Sequence, residues 1–291
     1  MSPTPRSITR AAHAKINVFL RVLGAREDGY HDVESLVLPL SLADDVGVVT
    51  AARLAVDVRG AERATDAVQA GGMNLALVAA LALAESCGEP RRGADVTITK
   101  RIPVAAGLGG GSADAAATLL ALEELWGCGL DRRALMTIGE RIGSDVPAML
   151  AGEPVLVRGR GEHLTPVAIA TTWWAVRPFD FPTRSPDAYR WWDEDGGASG
   201  PDPGVLIAAA EAGNVGLLGD ALFNDLEAPV ARRHPEVAEV KHAFLTAGAL
   251  GAVMSGSGPT VVALARHLVH ADALAAAVPG SFVVSGPPGV A

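Results

Sequence analysis

Residues 103–117, P-V-A-A-G-L-G-G-G-S-A-D-A-A-A, concentrate the clearest chemistry in this chain. Four of the five positions 107–111 are glycine: Gly107, Gly109, Gly110 and Gly111. Without a Cβ, such a backbone turns sharply and lets a ligand approach closely. The run 113–126 carries apolar residues at helical spacing and predicts a helix, with Ser112 as its cap. A glycine loop opening into a helix N-terminus aims unpaired N–H groups and the positive end of the helix dipole at an anion. Phosphate is the natural guest; the alternative is a flexible loop that happens to precede a helix.

The loop is not a Walker A motif, because Gly111 is followed by Ser112 and Ala113 with no lysine. It is not a G-x-G-x-x-G fingerprint either, since the sixth position counted from Gly107 is Ser112. G-G-S-A-D at 110–114 lacks the pattern of a G-x-S-x-G nucleophile elbow. Two other constellations carry what phosphoryl transfer to a hydroxyl needs. A-A-H-A-K-I-N-V-F-L at 11–20 reads as a strand, with Ala14, Ile16, Val18 and Leu20 on one face and Lys15, Asn17 and Phe19 on the other. Lys15 and Asn17 form either the wet face of a sheet or the lining of a site. Asp145, in G-S-D-V-P at 143–147, either caps a short helix or serves as a base. A carboxylate can accept the proton of an attacked hydroxyl, and a cation favours the ionised alcohol and the charge on the moving phosphoryl group. A lysine beside the aspartate would also keep it ionised.

Composition narrows the class. The 291 residues are 49% hydrophobic, with 24 Lys and Arg against 33 Asp and Glu, a net charge of −9. A chain of this length buries a large core and is expected to form two sub-domains. The acidic balance, without a long basic run, argues against a nucleic-acid partner. The two cysteines, Cys87 and Cys128, are too few and too far apart in sequence for a metal cage or a disulfide framework, so free cytosolic thiols are the default. Residues 1–10 lack the apolar core of a signal peptide, and the most apolar run, 75–84, is too short to span a bilayer. A soluble cytoplasmic protein with no membrane partner is expected.

The elements that must position these residues follow from the pattern. Strands are predicted at 14–22, 33–42, 46–50, 54–58, 94–100, 154–158 and 174–176, and around a glycine turn at 249–254 and 261–265. Helices are predicted at 73–86, 113–126, from Asp131 through about 141, and at 205–212, 235–247 and 271–277. Residues 193–204, rich in Asp, Gly and Pro, predict a surface loop. Strands and helices alternate without a regular βαβ cadence, which implies an α+β fold in two halves, 1–160 and 161–291.

In order along the chain stand A-K-I-N (14–17), D-G-Y-H (28–31), G-L-G-G-G-S (107–112), G-S-D-V-P (143–147), N-D-L-E (224–227) and M-S-G-S-G-P-T (254–260). Together they resemble the galactokinase, homoserine kinase, mevalonate kinase and phosphomevalonate kinase (GHMP) superfamily, over almost the whole chain. The glycine loop alone points to the superfamily; A-K-I-N with D-G-Y-H is more specific, to a branch whose phosphate acceptor is a cytidine diphosphate ester on a non-mevalonate route to isoprenoids. The resemblance implies a two-domain GHMP kinase fold, with an N-terminal ATP-binding half like domain 2 of ribosomal protein S5 and a ferredoxin-like C-terminal half on the substrate side.

It also implies roles. Lys15 and Asp145 would be the catalytic pair. Pro103, Val104, Ala105, Ala106, Gly107, Leu108, Gly109, Gly110, Gly111, Ser112 and Ala113 would wrap the phosphates of ATP. Asn74 and Lys100 are further ATP contacts, or else a helix cap and a solvated strand end. Asn17, Tyr30, His31, Tyr189, Gly256 and Ser257 fall on the acceptor, with His31 beside the cytosine ring and Tyr189 closing its far side. Mg²⁺ would be held mainly by the nucleotide phosphates, with no protein ligand identifiable. His13 stands where the family usually has proline, which removes no catalytic group. A monomer or homodimer is expected. Other small-molecule GHMP kinases are the nearest alternative. A GHMP-like fold that only binds a ligand should lack Lys15 or Asp145, and both are present.

Overall fold

A computed structural model describes residues 6–60, 74–88, 92–104 and 106–289. The chain divides into two compact units. Unit 1 holds Met1–Ala14, Leu42–Val104 and Gly109–Gly152; unit 2 holds Lys15–Ser41, Ala105–Leu108 and Glu153–Ala291. Two long strands contribute to both, β1 (Ser7–Ala25) and β2 (His31–Thr50). The sequence suggested separate strands at 33–42 and 46–50. The A-D-D interruption at 43–45 proves to be continuous strand, with Asp44 buried and bonded inside it.

In unit 1, the end of β2 pairs antiparallel with β4 (Ala94–Thr99), from Asp45↔Thr99 to Thr50↔Ala94. The short β3 (Ala55–Arg59) lies parallel to β4 on its other side. Among the described residues four helices belong to the unit: α1 (Leu75–Ser86), α2 (Gly110–Trp126), α3 (Arg132–Ile142) and α4 (Val146–Ala151). The predicted first residue of α1, Met73, lies outside the described residues. Asn74 caps α1, its Oδ1 accepting the Ala76 N–H at 2.8 Å, and Asp131 caps α3 as its position foretold. Alanine at 76, 79, 80, 113, 115, 116 and 117 is buried, and such small side chains let α1 and α2 pack closely.

That packing overturns the expectation of free thiols. Cys87, the C-cap of α1, and Cys128, just past α2, form a disulfide with Cα atoms 5.5 Å apart. Their separation of 41 in sequence says nothing about distance once two helices lie side by side with their C-terminal ends together.

In unit 2, the first part of β2 pairs antiparallel with β5 (Val155–Gly159), which pairs with β6 (His163–Pro166). The two-residue β8 (Phe223–Asn224) runs parallel to β1 through Phe19↔Phe223 and Leu20↔Asn224. A second, wholly antiparallel sheet has the order β11–β7–β10–β9, with β7 at Thr172–Arg177, β9 at Gly251–Met254, β10 at Val261–Ala265 and β11 at Phe282–Gly286. Helices α5 (Ser185–Glu194), α6 (Gly204–Glu211), α7 (Val215–Asp220), α8 (Glu227–Arg233), α9 (Pro235–Thr246) and α10 (Leu268–Ala277) complete the unit. Phe244 of α9 and Leu274 of α10 pack with Val261, Ala263 and Met254 of the sheet, and each such large side chain taken out of water contributes about 1.5–3 kcal/mol. Among the described residues no helix is long and apolar enough to cross a membrane.

Candidate active site

The strand face that reads as either wet or functional is dry. Lys15 is 4% and Asn17 5% exposed, as buried as the apolar face that alternates with them. A buried cation and amide need partners, and these are present. The Lys15 Nζ donates to Asn17 Oδ1 at 2.6 Å, and Asn17 Nδ2 donates to Ser35 Oγ at 2.7 Å. Ser35 Oγ in turn donates to the Phe19 carbonyl at 2.7 Å. The chain locks the side-chain amide with its oxygen toward the ammonium, leaving Lys15 in one orientation.

The second glycine loop closes over this pair. The Asn17 backbone N–H donates to Ser255 Oγ at 3.1 Å. Gly256, at φ 58°, lies so close that a Cβ there would sit 2.9 Å from Asn17 Oδ1 and 3.3 Å from Lys15 Nζ. Only glycine fits. The loop itself is pinned from below, where Asn224 Nδ2 donates to the carbonyls of Met254 and Gly256, each at 2.7 Å. Ser257 is half-buried and its Oγ shares a hydrogen bond of 3.0 Å with Ser185 Oγ.

The first glycine loop starts against the same strand. Leu108 accepts the Lys15 backbone N–H at 3.0 Å, and the Gly107 carbonyl accepts from Ser255 Oγ at 3.3 Å. A Cβ on Gly107 would lie 2.7 Å from the Gly258 carbonyl oxygen, so this glycine is demanded by neighbouring backbone. Gly109, at φ 70°, is the N-cap of α2, and the helix begins at Gly110. Ser112 therefore lies within the first turn and does not cap it. The left-handed turn at Gly109 starts the helix three residues earlier than the serine suggested. Gly111 is exposed, and among the described residues a Cβ built there would meet only Leu75 Cδ1, at 3.7 Å. Pro103 and Val104 are half-buried, Ala106 and Ala113 are buried, and Ala105 lies outside the described residues.

Lys100 is not a solvated strand end. It is 7% exposed and its ammonium is held by two carboxylates, Asp44 and, at 2.7 Å, Asp114 Oδ2. Asp44 also accepts the backbone N–H groups of Arg101 and, at 2.8 Å, Ile102. Burial pushes the Asp114 carboxyl up to about 7 against the opposing pull of Lys100. Sequence reasoning missed Asp44 and Asp114; the signal was a carboxylate inside an apolar strand and another on an alanine-rich helix face. Asp145 is half-buried at the N-cap of α4 in unit 1, without a side-chain capping bond.

His31 and Tyr189 do come together, but in direct contact. Their rings stack with centroids 4.9 Å apart and 25° between planes, which leaves no room for a base between them. Trp192 meets the His31 ring edge-on at 5.8 Å, and His31 Nε2 lies 3.0 Å from Asp193 Oδ1. Tyr30 is half exposed, with the Arg160 guanidinium 4.0 Å above its ring.

A glycine-opened helix start, a buried lysine–asparagine pair and two glycine loops define a class, and sequence comparison gives its name. The family model for the GHMP kinases N terminal domain matches residues 74–153 and that for GHMP kinases C terminal matches 206–284; the chain belongs to the GHMP kinase family. Within it, the chain is 45% identical to the 4-diphosphocytidyl-2-C-methyl-D-erythritol kinase of Symbiobacterium thermophilum, over 86% of this chain and 88% of that one. It is 39% identical to the enzyme of the same name from Deinococcus radiodurans, over 97% and 94% of the two chains. The solved structure of a 4-(cytidine 5'-diphospho)-2C-methyl-D-erythritol kinase superposes with a TM-score of 0.80 at 34% identity, covering 97% of this chain and all of that one. A homoserine kinase from Cytophaga hutchinsonii shares the fold at 20% identity, with a TM-score of 0.73.

Proposed function

We propose that this chain is an ATP-dependent kinase that phosphorylates the 2-hydroxyl of 4-diphosphocytidyl-2-C-methyl-D-erythritol, on the non-mevalonate route to isoprenoid precursors. The observation that carries this reading is the Lys15–Asn17 pair, buried under Gly256 in a chain so similar to kinases of that name. Residues 1–160 form the ATP-binding and catalytic half, which also supplies Asn17, Tyr30 and His31, and 161–291 form the substrate-side half.

In the reaction the hydroxyl oxygen attacks the γ-phosphorus, the bond to the β–γ bridging oxygen breaks, and ADP leaves. Asp145 accepts the hydroxyl proton, and the Lys15 ammonium stabilises the ionised alcohol and the equatorial oxygens. Most of the acceleration in such transfers comes from positioning and charge, which a lysine held rigid by Asn17 supplies at little entropic cost. The loop from Pro103 to Ala113 takes the phosphates of ATP, attracted by the N–H groups and the positive dipole end at the start of α2. Asn74 and Lys100 belong to the nucleotide side, although the Asn74 side-chain oxygen is already occupied capping α1.

Asn17, Tyr30, His31, Tyr189, Gly256 and Ser257 serve the acceptor. Given the direct stacking of His31 on Tyr189, the base either parts these rings or stacks on the outer face of one of them. Among the described residues no group of three or more His, Cys, Asp or Glu is placed to hold a metal. Mg²⁺ would be held mainly by the nucleotide phosphates and its own waters, where it would neutralise phosphate charge. We place the enzyme in the cytoplasm, as a monomer or homodimer, where ATP and its small-molecule acceptor meet without nucleic acid or membrane.

A coupled ADP-release assay against cytidylyl and free alcohols tests the reading. The cytidine diphosphate ester should be the preferred acceptor. Equal or better turnover of mevalonate or homoserine would refute it.

A further inference from the structure

The cluster of Lys100, Asp44 and Asp114 lies in unit 1, beneath the turn assigned above to the phosphates. The Lys100 Nζ would be only 3.3 Å from a Cβ built on Gly110, so the ammonium packs directly under the first residue of α2. Two carboxylates face this one cation, and they are not equivalent. Asp44 is fully buried and accepts two backbone N–H groups besides the ammonium. Asp114, 5% exposed, has one oxygen on Lys100, while its Oδ1 is buried with no hydrogen-bond partner among the described residues.

We propose that Asp114 is a positioning residue for the nucleotide: it holds the Lys100 ammonium under the first turn of α2, and its own charge tunes how strongly that turn attracts ATP. The inference rests on the reading of this turn as the ATP phosphate site. Loss of the Asp114 proton adds one negative charge beneath the phosphates. In a poorly screened interior that difference is felt across a helical turn. Burial brings the switch to about pH 7, where an ordinary aspartate would already be ionised.

Among the described residues, Lys100 and Asp44 are the charged groups that act most on Asp114. The one charged residue of α1 is Glu85, in its last turn; α4 carries Asp145 at its N-cap, and β4 carries Asp95, which is exposed. On α3, Arg132 is occupied by the carbonyls of Leu150 and Ala151, while Arg133, Glu140 and Arg141 are exposed. The sign follows: ATP, an anion, binds better to the protonated form, and bound ATP draws a proton onto Asp114.

The test is KM for ATP and kcat from pH 5.5 to 8.5, with saturating acceptor and excess Mg²⁺, in wild type and Asp114→Asn. The ionisation of ATP itself affects both proteins alike, so the ratio of their KM values isolates Asp114. Wild-type KM should rise about three- to tenfold relative to the variant as pH passes through 7, with the kcat profiles parallel. Parallel KM profiles would overturn the inference. If Asp114→Asn does not fold, calorimetry of MgATP binding to the wild type at pH 7, in buffers of different ionisation enthalpy, should show proton uptake; no uptake overturns it equally. Gly111→Val separates the two readings. This exposed helical position has room for the side chain, so the variant should fold yet obstruct the phosphates. Wild-type ATP affinity in Gly111→Val would refute the phosphate site itself. Weakened ATP binding there, with Asp114→Asn tracking wild type at every pH, would refute only the role of Asp114.

Discussion

Reduction of the Cys87–Cys128 bridge should weaken unit 1 by an amount the chain length sets. The bridge closes a loop with a sequence separation of 41, running from the end of α1 through β4 and the glycine loop to the end of α2. Cross-linking a loop of that size removes about 13 cal/mol/K of entropy from the unfolded chain, or about 4 kcal/mol at 25 °C. Native contacts between α1 and α2 are apolar and do not depend on the bridge, so the folded state should persist without it. The perturbation is a phosphine reductant or the paired change Cys87→Ser with Cys128→Ser. Urea titration followed by fluorescence and by circular dichroism reads the loss, with thiol titration before and after confirming that two sulfhydryls appear. The midpoint should fall by an amount equivalent to about 2–4 kcal/mol, while ATP turnover at 25 °C changes little. An unchanged midpoint with both thiols demonstrably free would refute the constraint. Alkylation of thiols trapped in intact cells would further show which redox form the compartment maintains.

Three further outcomes follow from the site. Asp145→Asn, which cannot accept the hydroxyl proton, should lower kcat by about 10²–10⁴ with ATP binding retained, and Lys15→Met should match it; a double variant little worse than either single one would show that they act together, whereas near-normal turnover in Asp145→Asn, with chemistry rate-limiting, would remove it from proton transfer. His31→Ala should raise the KM for the cytidine substrate about ten- to a hundredfold, because a base edge left unpaired costs about 1–3 kcal/mol, and should leave the KM for ATP alone; a uridine analogue turned over as well as the cytidine compound would dismiss any reading of the base. Asp114 also makes a stability prediction: its folded pKa, raised from 3.8 to about 7, means that ionisation opposes folding, so the stabilisation present below about pH 4 is lost as pH rises toward 7. Relative to Asp114→Asn, wild-type stability should fall by up to about 4 kcal/mol between pH 4 and 7.5, and a difference that stays constant with pH would contradict the buried carboxyl.

Local signals in the sequence were enough for the parts of this protein governed by short-range rules. Glycine spacing placed the helix start within three residues, Asp131 and Asn74 capped where their positions indicated, and the alternation of Lys15 and Asn17 with apolar neighbours placed them on one strand face. These depend on backbone sterics and on hydrogen bonds spanning a few residues, which any chain of the same local sequence shares. Everything that required two distant segments to meet was decided by tertiary structure. Whether Lys15 faced water or a buried partner depended on Ser255 and Gly256, some 240 residues later. The identity of Gly107 was demanded by the carbonyls of Ser255 and Gly258, and Lys100 found its carboxylates on β2 and α2. Cys87 met Cys128 because two alanine-rich helices pack with their C-terminal ends together. Sequence separation carries no information about such distances, since the energy that brings these groups together comes from burying apolar surface elsewhere in the fold, and charge and thiol chemistry then follow from the neighbours that burial assigns.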